Sequence, residues 1–116
     1  MTYFAMPGVK YTKFIPDSEQ FAKVEYIIHA ICQYFHTTFK RLDVDKRDQR
    51  LCFPRQTIMY FLKYHGGLSS VRIGKLMKKH HGTVIFGIRK IEGLLDVDPI
   101  VKDQLDEIKN LITSNK

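Results

Sequence analysis

Cysteine is scarce in this sequence. The two thiols, Cys32 and Cys52, stand twenty residues apart with no C-x-x-C and no second ligand pair, which excludes a zinc ribbon and a disulfide framework. Two isolated thiols fit a reducing compartment. Long apolar runs are missing too, so no membrane span is expected. The N-terminal MTYFAMPGVKYTKF lacks the basic start and unbroken apolar core of a secretory signal, and the expected location is the cytoplasm. There is no G-x-x-x-x-G-K-[ST], G-x-S-x-G or H-E-x-x-H, and neither thiol has an evident partner base. The reading is a protein that is not an enzyme, with no catalytic residues, no nucleotide and no cofactor. His80-His81 lacks a third ligand, so no metal is expected either.

Acidic residues are also in deficit. Twelve Asp+Glu face nineteen Lys+Arg, for a net charge of +7, and the excess is local. Residues 40–95 hold thirteen basic and four acidic side chains, residues 1–39 balance at three against three, and residues 96–116 carry three against five. Such a basic middle favours an anionic partner, nucleic acid first. With 116 residues, 44% of them apolar, the chain can bury one core and fold as one domain.

Residues 1–16 read as an N-terminal arm, with Pro7-Gly8 as a turn signal and Pro16 ending any regular element. Residues 17–116 read as helical. Asp17 and Gln20 form a capping-box pattern, and Phe21, Val24, Ile27, Ile28, Ile31, Phe35 and Phe39 recur at helical spacing, predicting a helix to about Phe39. A basic stretch, 40–53, follows. Pro54 is expected to open a helix with Ile58, Met59, Phe61, Leu62 and His65 on its apolar face, stopped by Gly66-Gly67. Ser69 is the expected N-cap of a short helix, 69–77, in which Gly74 admits a close neighbour. A further helix begins near Gly82, and Asp98-Pro99 caps a last one. No segment alternates, so the fold class is all-α with about five helices.

The helices at 69–77 and about 82–95, joined by a few residues, match a helix-turn-helix, whose second helix enters the major groove of DNA. Its leading residues, Lys78, Lys79, His80, His81, Gly82 and Thr83, offer two cations, two imidazoles, a bare backbone position and a hydroxyl. These suit phosphates and base edges.

Residues 54–95, PRQTIMYFLKYHGGLSSVRIGKLMKKHHGTVIFGIRKIEGLL, resemble the C-terminal DNA-binding domain of the bacterial replication initiator DnaA. Pro54-Arg55-Gln56, Ile73-Gly74, His81, Thr83-Val84 and Arg89-Lys90-Ile91 fall in the order of that family, and the likeness extends over roughly residues 21–112. It implies a Trp-repressor-like helical domain that binds double-stranded DNA. Arg55 matches the family's minor-groove arginine and His81 its base-reading histidine. Lys46, Arg47, Ser69, Thr83, Arg89 and Lys90 match polar or basic positions on the DNA-facing side, and Gln56 and Val71 complete the expected interface. There are departures. His80 stands where the family has aspartate, Gly82 where it has threonine, Val71 where a base-touching residue, often proline, is usual, and Lys78-Lys79 fill a turn shorter by one residue than the usual Gly-Gly-Arg. The framework for phosphates is kept while base readers are exchanged.

The first expectation is therefore a DNA-binding module without the initiator's ATPase, regulating replication or transcription, for example of a phage or mobile element. The alternative is a protein-interaction module or antagonist that keeps the fold and docks on a replication or transcription protein.

Overall fold

A computed structural model describes residues 18–42 and 49–114. The arm expected at residues 1–16, the capping residue Asp17, and Lys46 and Arg47 lie outside them. Six α-helices follow one another: α1 (Ser18–Tyr34), α2 (Phe39–Leu42), α3 (Gln49–Tyr64), α4 (Ser70–Met77), α5 (His81–Val97) and α6 (Pro99–Ser114). The described residues contain no strand, and the fold is all-α as read; the helix beyond the expected set is the single turn α2.

α3 is the central element, packed against α1, α2, α4 and α5, while α6 closes the other side across α1 and α5. Its middle turns supply Ile58, Met59, Phe61 and Leu62, all buried, against Ile27, Ile28 and Ile31 of α1 and Val84, Ile88 and Ile91 of α5. Each such side chain contributes about 1.5–3 kcal/mol by leaving water. Hydroxyls pin the periphery. Tyr26 donates to the Leu111 carbonyl (3.1 Å) and Tyr34 to Glu107 Oε1 (2.6 Å), tying α1 to α6. The bond to Glu107, then burial, pushes the Tyr34 hydroxyl up to about 12. Burial pushes the Cys32 thiol up to about 11, so it stays protonated at neutral pH.

Two boundaries differ from the sequence reading. α1 stops at Tyr34 rather than near Phe39, because His36 turns left-handed (φ 55°) and the Thr37 amide folds back on the Cys32 carbonyl (2.9 Å). Phe35 continues the apolar spacing past the helix end by packing edge-on against both Tyr34 and Phe53. α3 opens at Gln49, making Pro54 its sixth residue rather than its first. The proline lacks the N–H that would meet the carbonyl of residue 50, and that loss falls near the helix start. Gln20 of the capping-box pattern also reaches across the fold, its Nε2 donating to the Gly66 carbonyl (3.1 Å).

Candidate nucleic-acid interface

α4 starts as its sequence dictates: Ser69 is extended and its Oγ accepts from the Arg72 amide (3.3 Å). It ends on a left-handed residue, Lys78 (φ 58°, ψ 43°), whose amide and that of Lys79 (2.8 Å) both turn back onto the Gly74 carbonyl. The turn passes so close that a Cβ on Gly74 would lie 2.5 Å from the Lys79 carbonyl oxygen. Gly74 thus admits the turn's own backbone rather than a neighbouring helix.

His80 caps α5. Its Nδ1 accepts from the Gly82 amide (3.0 Å), and its carbonyl receives the Thr83 (3.0 Å) and Val84 (3.2 Å) amides. The His81 ring stacks on the His80 ring with centroids 4.3 Å apart. A Cβ on Gly82 would come within 3.1 Å of the same Nδ1, so the imidazole cap and the bare second position fit each other. Among the described residues no group of three or more His, Cys, Asp or Glu could hold a metal.

α5 has two faces. Val84, Gly87, Ile88 and Ile91 are buried toward α3, where a Cβ on Gly87 would meet Met59 Sδ at 2.9 Å and Gln56 Cγ at 3.1 Å. Tyr64 of α3 donates to the Glu92 carboxylate, which holds the middle of α5 from the side. The opposite face is exposed and presents His81, Gly82, Thr83, Phe86, Arg89, Lys90 and Gly93. Arg72, Lys75 and Lys78 are exposed beside it, and Val71 of α4 is 51% exposed.

The structure therefore gathers most of the expected site residues at one edge: Val71, Lys78, His80, His81, Gly82, Thr83, Arg89 and Lys90 are exposed around the turn and along α5, with Lys79 half-buried and the exposed Ser69 at the α4 cap. Two lie deeper. Arg55 is 7% exposed and its Nε donates to the Leu42 carbonyl (2.7 Å), bracing α3 on α2. Gln56 is half-buried under Gly87. Phe86, Arg72 and Lys75 were not singled out from sequence, although Phe86 is off the inward Val84, Ile88, Ile91 phase and so legible as outward-facing.

Two short-turn helices at the edge of an all-α core, the second offering its N-terminal turn to solvent, define a helix-turn-helix domain. Residues 24–91 match the family described as bacterial dnaA protein helix-turn-helix, and the chain belongs to that family. It is 32% identical over 114 residues to the chromosomal replication initiator protein DnaA of Enterococcus faecalis, covering 97% of this chain and 25% of that protein. It is 28% identical over 113 residues to that of Treponema pallidum (97% and 24%) and 30% identical over 92 residues to that of Lachnoclostridium phytofermentans (78% and 20%). The chain thus spans a quarter or less of the length of these relatives.

Proposed function

We propose that the chain binds double-stranded DNA with the N-terminal turn of α5 in the major groove, in the cytoplasm, to control replication or transcription on a chromosome, phage or mobile element. The exposed α5 face carries this reading. Its first turn is uncovered by any described residue, its amide end favours phosphate, and Lys78, Arg89 and Lys90 flank it with positive charge. His81 and Thr83 are the base-edge candidates; Lys79, Arg89, Lys90, Lys46 and Arg47 serve phosphates. Arg55 is the minor-groove candidate. Its Nε bond to the Leu42 carbonyl holds the side chain against α2, and a guanidinium suits the negative potential of a narrow A·T-rich minor groove.

Duplex titration across a salt series tests this. Affinity should fall linearly on a log–log plot as salt rises, because neutralised phosphates release counterions. Affinity flat in salt, or no binding at low salt, would overturn it and leave the protein-docking alternative. Arg55→Ala should cost about 1–3 kcal/mol of DNA affinity. Its burial means the same change also leaves the Leu42 carbonyl without this donor, so affinity has to be read at a temperature where melting shows the variant folded.

A further inference from the structure

We infer that Phe86 reads the C5-methyl group of a thymine in the major groove, making it a specificity-determining residue of α5; this rests on the DNA-binding reading above. Phe86 is the sixth residue of α5 and 64% exposed. One turn before it on the same strip stand Gly82 and Thr83, and one turn after it Arg89 and Lys90. The core does not use the ring, since Val84, Gly87, Ile88 and Ile91 fill the inward face. A lone exposed aromatic is ordinary on a surface; here the ring stands between the glycine and hydroxyl of Gly82 and Thr83 and the cations Arg89 and Lys90, away from the other exposed apolar residue of α5, Val97 at its far end.

Chemistry then narrows the contact. Phenylalanine has no donor or acceptor and can bond neither a phosphate nor a polar base edge. The apolar group that the floor of the major groove offers is the thymine methyl. Direction agrees, because a long side chain on a helix leans toward the N-terminus over residues three and four before it. Those are Thr83 and Gly82, both exposed among the described residues, and Gly82 has no side chain of its own to occupy that position. Phe86 lies about 4.5 Å along the axis from Thr83, little more than one base-pair step of about 3.4 Å. The two residues can therefore address adjacent pairs.

The test starts from duplexes that the wild-type chain selects from a random pool. Each thymine of the selected site is replaced singly by deoxyuridine, which lacks only the methyl group, and binding is measured for wild type, Phe86→Ala and Phe86→Leu. At one thymine the wild type should weaken three- to fivefold, on the order of one buried methyl. Phe86→Ala should show no change at that position and Phe86→Leu a reduced one, with melting temperatures unchanged because the ring is exposed. A selected site without thymine, a wild type indifferent to every deoxyuridine, or a Phe86→Ala variant that keeps the full methyl dependence would each overturn the inference while DNA binding stands. Failure of the wild type to bind any duplex at low salt would overturn the DNA-binding reading and this inference with it.

Discussion

Lys78 and His36 are the non-glycine residues with positive φ among those described, and each ends a helix. A left-handed non-glycine costs on the order of 1 kcal/mol, and at Lys78 the strain places a cation in the turn ahead of α5. Lys78→Gly should therefore raise stability by about 1 kcal/mol in thermal or urea unfolding. The same substitution should reduce the slope of log affinity against log salt by about one. Neither left-handed residue was legible in the sequence, because the signal for such a turn is glycine or asparagine. At His36 the missing signal let the Phe35 and Phe39 spacing carry the expected helix past its true end. Ser69, by contrast, was legible: an N-cap serine announces itself by residue type, and its hydroxyl is bonded as its position demands.

On the scale of the element, α5 begins with two exchanges that depend on each other. An imidazole reaches farther than a carboxylate, and it caps the helix where the second position has no Cβ to press against Nδ1. Gly82→Thr alone should cost about 0.5–2 kcal/mol by displacing the cap. In a His80→Asp background, where a short carboxylate caps instead, the same change should be close to neutral. A double-mutant cycle by thermal melting measures this coupling, and additivity of the two substitutions would contradict it. The helix and its inward face were readable from the Val84, Ile88, Ile91 period. The start of α3 was not, because proline marks a first turn by preference only, and Leu51 and Phe53 extend the helix ahead of it by packing on the core.

For the whole molecule, the acidic α6 lies against α1 and α5, while Arg72, Lys75, Lys78, Lys79, Arg89 and Lys90 place cations on α4, in the turn and on α5. Where the halves meet, His65 stacks on Phe61 of α3, with Lys102, Asp106 and Lys109 of α6 lining the same cavity. Burial first, then the positive charges of Lys109 and Lys23, holds its imidazole below the ordinary value of 6.5. The unfolded chain therefore takes up this proton first as pH falls. The stability His65 protects is complete above about pH 6.5 and is lost as pH drops through the folded value. The melting temperature should accordingly fall between pH 8 and pH 5, and His65→Gln should flatten part of that fall. An equal fall in both proteins would remove His65 as its source. The charge partition that locates the interface was visible in the sequence, whereas the burial of Arg55 and Gln56 was not, since both are polar and their depth is set by α2 and by Gly87.

The division of α5 into two faces also bears on how such a domain can change over time. The side chains of Thr83, Phe86, Arg89 and Lys90 are exposed, while Val84, Gly87, Ile88 and Ile91 carry the packing. Mutations can drift across the first set without unfolding the protein, so descendants of one scaffold can acquire new target sequences while inheriting an unaltered interior.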